Sequence, residues 1–170
     1  SIEEAGEYIA GYSVGNDFGL HDFRDTDAGS MLRVKGADSL APVGPGINTD
    51  WDFRNKMIRT YVNGELKQED NTDNMEWNMH YLVADIARTI TLVPGDMIFS
   101  GTPAHSRPVQ IGDLVEVVAA GTAEGAVVED VIGRAVDPAR RIARGEGDGV
   151  QGGVVDQARV RRVDDTTGPQ

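Results

Sequence analysis

The stretch Met57-Ile-Arg-Thr-Tyr-Val-Asn-Gly-Glu-Leu-Lys-Gln-Glu69 decides the fold class. Two alternating runs flank Asn63-Gly64, a pair suited to a type I′ hairpin because both residues tolerate positive φ. The two-residue period of a strand puts Ile58, Thr60 and Val62 on one side. Directly after this hairpin, residues 71–90 carry a helical pattern. Met75, Met79, Leu82, Ile86 and Ile90 form its apolar stripe, and Asp73 with Glu76 resembles a capping box. Pro94-Gly95-Asp96 ends that helix and turns into a strand, "MIFSG". A second Gly-Asp turn, Gly112-Asp113, opens the strand "LVEVVAA". One hairpin, one main amphipathic helix and several further short strands predict a β-rich α+β domain.

Working back toward the N-terminus, residues 2–10 read as the end of a helix, with Ile2, Ala5 and Ile9 near helical spacing and Gly11 as its stop. "YSVGND" reads as a short strand. Residues 18–31 read as loop, and "MLRVKGADSLAPVGPGI" continues in that style. From about Pro138 glycine, small and charged residues mix without periodicity. The reading divides the chain into a domain over 1–137 and a flexible tail over 138–170, with strand character only near Val154 or Val160.

Composition narrows the function classes. The chain has 170 residues, enough for one buried core. Its formal net charge is −12, which repels phosphate backbones and argues against nucleic acid. The same carboxylates suit a divalent cation. There is no cysteine, so disulfides, thiolate zinc sites and cysteine nucleophiles are excluded. No apolar run reaches the roughly 20 residues of a membrane span, and the acidic "SIEEAGEYIA" start lacks the basic region of a signal peptide. A cytoplasmic protein is the expectation.

Four polar spots carry candidate chemistry: Asn16-Asp17, His21 with Arg24, Lys35, and Gly101-Thr102-Pro103. Each alone also fits an ordinary turn or a solvated loop. Together they supply what an oxo-acid substrate needs: a carboxylate for a hard cation, an ammonium for a substrate anion, and backbone donors at a glycine-rich strand end.

The order "YIAGYSVGND…HD", "LRVKGADSLAPVGP", "TYVNGELKQEDNTDNM" and "LVPGDMIFSGTP" closely resembles the C-terminal catalytic domain of the fumarylacetoacetate hydrolase family, from about residue 3 to about residue 118. "LRVKGADSLAPVGP" is most similar to the branch of 5-carboxymethyl-2-hydroxymuconate isomerase and 5-oxopent-3-ene-1,2,5-tricarboxylate decarboxylase, which act in 4-hydroxyphenylacetate and homoprotocatechuate breakdown. The resemblance implies a mixed β-roll, a homodimer, a Mg²⁺ or Mn²⁺ site and a small oxo-acid or dicarboxylate substrate. It makes Asp17 a metal ligand. Lys35 would bind the substrate's carboxylate or oxo group and stabilise enolate charge. Thr102, with the Gly101 backbone, would bind the substrate carboxylate. His21 stands where the family commonly has arginine, and Arg24 where it often has glutamine, so both are candidates for the substrate's distal group. The family's Glu-x-Glu metal pair has no counterpart here, so the chain reads as the C-terminal part of a longer enzyme, with a C–C hydrolase or a non-catalytic half as the other readings.

Overall fold

The structure is a computed structural model that describes residues 1–102, 105–121, 126–128, 150–152 and 154–160, the last three segments as strands. Nine strands and two α-helices are described: β1 (Ile9–Asn16), α1 (Leu32–Lys35), β2 (Met57–Val62), β3 (Glu65–Asn71), α2 (Met79–Ile86), β4 (Met97–Phe99), β5 (Arg107–Val109), β6 (Val115–Ala119), β7 (Ala126–Val128), β8 (Val150–Gly152) and β9 (Val154–Val160). They form a four-stranded sheet β3-β2-β6-β7, a three-stranded sheet β1-β9-β4 and the pair β5-β8. This is the expected β-rich α+β class.

The hairpin is built as read. Asn63 and Gly64 have φ of 52° and 79°. The second Gly-Asp turn locks onto the first: Asn63 Nδ2 donates to Asp113 Oδ1 at 2.8 Å, and Leu114 N–H donates to Asn63 Oδ1 at 2.9 Å. β6 thereby pairs with β2, setting Val115, Val117 and Ala119 beside Ile58, Thr60 and Val62. These inward faces, with Tyr12, Val14, Phe18, Trp51, Phe53 and Met79, form most of the buried core.

Residues 2–10 are not a helix end. A 3-10 turn at Ala5–Tyr8 leads straight into β1. Backbone pairing on both edges outweighs the weak helical spacing here. β9 lies antiparallel on one side, and Tyr12 exchanges backbone hydrogen bonds with Asn48 on the other, at 2.9 and 2.8 Å. Gly11 is no stop: a Cβ there would sit 2.7 Å from the Asn48 carbonyl oxygen, so the close approach requires glycine.

The expected loop over 31–47 contains α1, a single helical turn, followed by an extended run that pairs with β1. The helix expected over 71–90 is shorter and starts later. Asn55 N–H donates to Asp73 Oδ1 at 2.8 Å and Lys56 N–H donates to Thr72 Oγ1 at 2.9 Å, which ties this segment to the base of the hairpin as a 3-10 turn. The cap of α2 is Asn78, whose Oδ1 accepts from Tyr81 N–H at 2.9 Å. Met79 and Val83 are its buried face, Met75 and Ile86 pack partly buried, and Ile90 lies past its end, exposed. The strands expected at "MIFSG" and "LVEVVAA" are β4 and β6. Of the tail expected over 138–170, residues 150–152 and 154–160 are described as β8 and β9; the rest lies outside the described residues. β9 fills the middle of its sheet, between β1 and β4.

The cap assignment has a direct test. Asn78→Ala should cost about 1 kcal/mol, whereas the exposed Glu76→Ala should stay within about 0.5 kcal/mol. Urea midpoints at unchanged slope read both, and the reverse order would restore the capping box.

Candidate active site

The site begins where β1 ends. Beyond Asn16 the pairing with the returning segment continues: Phe18 N–H donates to the Leu40 carbonyl at 2.8 Å and Leu20 N–H to the Val34 carbonyl at 2.9 Å. These bonds bring α1 beside Asp17, and α1 ends in Lys35. Lys35 Nζ lies 2.8 Å from Asp17 Oδ2, and donates to the backbone carbonyls of Asp17 at 3.0 Å and Phe18 at 3.4 Å. An ammonium has three donors, and three acceptors from two consecutive residues aim it. The two side chains are 36% and 39% exposed. An ion pair that open is worth only about 0–1 kcal/mol, so it orients Lys35 more than it stabilises the fold.

Asp27, which the sequence reading passed over, holds α1 from behind. It is buried, accepts from the Arg33 backbone N–H at 2.6 Å, and forms an ion pair with the Arg33 guanidinium. Burial alone would raise the Asp27 carboxyl; the hydrogen bonds from the Arg33 side chain and backbone outweigh it and hold the carboxyl below its ordinary range.

His21 joins the pair across Gly19. A Cβ at Gly19 would lie 3.0 Å from the His21 ring and 3.4 Å from Lys35 Nζ, so glycine lets both groups crowd the same piece of backbone. Burial pushes the His21 imidazole below its ordinary pKa, helped by the charges of Lys35 and Arg24 and opposed by Asp17 and Asp22. The exposed Arg24 is therefore close enough to act on the imidazole, but no contact between Arg24 and Lys35 or Asp17 is seen among the described residues.

Gly101 and Thr102 arrive from β4. Both β1 and β4 pair antiparallel with β9, so they run parallel to each other. Ser13 and Phe99 stand opposite the same residue, Gln157. Asn16 and Thr102, each three residues further on, leave the sheet at one edge. Two interstrand spacings, roughly 9–10 Å, separate Ser13 from Phe99, and both strands run from there toward the same end of the sheet. Gly101 has φ of 92°, a turn open to glycine. Pro103 lies outside the described residues. Gln68 reaches the same loop, donating through Nε2 to the His105 carbonyl at 2.6 Å.

The edge thus gathers a carboxylate, an ammonium, an imidazole and a glycine turn. It does not fit a complete Mg²⁺ or Mn²⁺ centre. Among the described residues no three His, Cys, Asp or Glu side chains converge, a hard cation needs several oxygen ligands, and one Asp17 oxygen faces Lys35. Among the described residues no helix is long and apolar enough to cross a membrane.

The lowered pKa of His21 has a pH signature. The unfolded imidazole takes its proton near pH 6.5, and the folded one only at lower pH. Stability should therefore be flat above about pH 6.5, fall as pH drops below it, and level off once the folded imidazole also protonates. His21→Gln should flatten this step in denaturation curves recorded against pH; an unchanged step would show that another group causes it.

Comparison with known proteins meets the same family. The model of the family "Fumarylacetoacetate (FAA) hydrolase C-terminal" matches residues 1–131. The 4-hydroxyphenylacetate degradation bifunctional isomerase/decarboxylase of Salmonella dublin is 39% identical over 135 residues, covering 78% of this chain and 31% of that protein. The crystal structure of 5-carboxymethyl-2-hydroxymuconate delta-isomerase from Mycobacterium smegmatis superposes with a TM-score of 0.71 at 36% identity, over 74% of this chain and 49% of that one. Maleylpyruvate hydrolase from Sphingobium sp. SYK-6, solved with manganese(II) and pyruvate, gives a TM-score of 0.65 at 27% identity, over 75% of this chain and 46% of that one. The chain spans about a third to a half of the length of the relatives it matches. With its fold and its matched sequence over residues 1–131, this chain belongs to the fumarylacetoacetate hydrolase family.

Proposed function

We propose that the protein is an isomerase or decarboxylase acting on a 2-oxo- or 2-hydroxy-dienoate dicarboxylate of aromatic catabolism, in the breakdown of 4-hydroxyphenylacetate or homoprotocatechuate. The observation that carries this reading is the Lys35 ammonium, held by Asp17 and Phe18 at the end of β1. The family relatives named as isomerases and decarboxylases favour this chemistry over hydrolysis.

In this reading the substrate's carboxylate lies at the Gly101-Thr102 turn, which offers backbone and hydroxyl donors, and its 2-oxygen displaces the longest of the three acceptors around Lys35 Nζ, the Phe18 carbonyl at 3.4 Å. As the electron pair moves onto that oxygen, the ammonium stabilises the developing enolate. In isomerisation a proton leaves the substrate to water as the enolate forms, and a different dienoate carbon takes one up as the electrons return to it; in decarboxylation the enolate forms when the bond to a carboxylate breaks and CO₂ leaves, and a carbon then takes up a proton from water. His21, whose imidazole is shifted toward its neutral form by burial and by its cationic neighbours, and Arg24 meet the distal carboxylate. Asp17 orients Lys35 and is the carboxylate that these residues would offer toward a divalent cation, Mg²⁺ or Mn²⁺, in the whole protein, where such an ion would supply polarisation of an oxo-acid oxygen. The family resemblance extends the proposal to a homodimer. A C–C hydrolase of an acylpyruvate differs only in using an activated water on the same enolate chemistry. The incomplete ligand set favours a second reading, in which these 170 residues alone are a non-catalytic half. Calorimetric titration with Mg²⁺ or Mn²⁺ separates the two: micromolar binding by this chain alone would overturn the second reading.

Lys35→Ala tests the main proposal in the full-length enzyme. Turnover of the dienoate should fall by about 10²–10³-fold, the loss seen when one donor to a developing oxyanion is removed. Thermal stability should barely move, because the Lys35–Asp17 pair is open to solvent. Retained turnover would sink the assignment.

A further inference from the structure

The hairpin strand β2 carries a polar residue, Thr60, on its apolar face, and the structure shows what it meets there. Thr60 is 4% exposed, Asn16 1% and Gln68 6%. All three line one small cavity whose other walls are Phe18, Val62, Val109, Val115 and the cationic residues Lys67 and Arg107. Asn16 Oδ1 and Thr60 Oγ1 both face burial with no hydrogen-bond partner among the described residues. Leaving a buried polar atom unsatisfied costs on the order of 1–3 kcal/mol. Two such atoms in one cavity are a demand for a shared partner.

The dimensions identify that partner. The cavity leaves about 10 Å³ for the centre of a water-sized sphere. Room for that centre is room for a whole water molecule, so the cavity admits one. Purely apolar cavities of this kind stay dry, whereas a water with two to four polar partners is retained. Asn16 Oδ1 can only accept, and the Thr60 hydroxyl can donate or accept. A water that donates to Asn16 and exchanges a hydrogen bond with Thr60 satisfies both.

We propose that Asn16 and Thr60 bind one internal water molecule, and that Asn16, Thr60 and Gln68 together position the two halves of the candidate active site. Asn16 immediately precedes Asp17. Gln68 stands opposite Thr60 in the β2–β3 ladder, and its side chain holds the His105 carbonyl at 2.6 Å, in the loop that follows Gly101-Thr102. The water site at Asn16 and Thr60 and the Gln68–His105 bond are thus joined by the paired backbones of β2 and β3. These three are positioning residues and touch no substrate. The water site stands on geometry alone; its positioning role rests on the proposed reaction.

A high-resolution crystal structure of the wild-type protein tests the site. One well-ordered water within hydrogen-bond distance of both Asn16 Oδ1 and Thr60 Oγ1 is expected. A dry cavity, a direct Asn16–Thr60 hydrogen bond or another side chain in that place would overturn it. The positioning role is read in the full-length enzyme with Thr60→Val, which keeps the shape and removes the hydroxyl, and Thr60→Ser, which keeps the hydroxyl. Thr60→Val should lower kcat about 10-fold or more, as loss of an outer-shell partner does, with KM nearly unchanged, and Thr60→Ser should restore it. Unchanged kcat in Thr60→Val would overturn the positioning role, as would failure of Thr60→Ser to recover it. Should Thr60→Val fail to fold, Gln68→Glu, read for the same split of kcat from KM, takes its place. Failure of the Lys35 proposal would show as turnover surviving Lys35→Ala, an outcome independent of whether the water is found.

Discussion

The antiparallel backbone pairing of residues 12–20 with residues 34–48 is the constraint on which the rest depends. It supplies hydrogen bonds on the free edge of β1, opposite β9, and so buries that strand on both sides. Its last two bonds, from Phe18 and Leu20, leave the strand ladder and carry the one-turn helix α1 over the strand end. Without that pairing Lys35 would be a solvated lysine on a loop. With it, Lys35 is held against the carboxylate and carbonyl of Asp17 and the carbonyl of Phe18, eighteen and seventeen residues away in sequence. The energetics agree with this order of causes. The ion pair itself is weak because it is exposed; buried hydrogen-bonded backbone and the packing of Phe18, Val34 and Leu40 hold it in place.

The second support is the pairing of turns. Asn63-Gly64 and Gly112-Asp113 are joined by side-chain and backbone hydrogen bonds. That junction sets the register of β2 against β6 and directs Thr60 inward. Thr60 is placed there by the same alternation that buries Ile58 and Val62, so the polar cavity beneath Asp17 is a consequence of the register of the hairpin. A slip of one residue would turn Thr60 to solvent and expose the apolar set.

Several elements were legible because their signals are local. Asn63-Gly64 dictates its turn through φ alone. The strands after Pro94-Gly95-Asp96 and Gly112-Asp113 follow from turn chemistry and alternation. The family blocks were legible because they are runs of neighbouring residues. Helix limits were not. Asp73 has the spacing of a cap, yet its carboxylate serves Asn55, and Asn78 caps instead. Residues 2–10 have helical spacing, yet strand partners distant in sequence claim Ile9 and its successors. Asp27 carried no motif, because its role is set by the burial of a loop against Arg33.

The sequence by itself determined the class of the fold, the turns, the family, and the identity of the groups available for chemistry: Asp17, His21, Arg24, Lys35, Gly101 and Thr102. Only the tertiary structure decided which of them meet. Lys35 and His21 crowd the backbone at Gly19, Asp17 pairs with Lys35, and β4, which leads into Gly101-Thr102, runs parallel to β1 on the other side of β9. Arg24 stays at the exposed rim. The reason is physical: residue type and local period are properties of neighbours along the chain, whereas convergence depends on strand order and register, which are fixed by backbone hydrogen bonds between segments far apart in it.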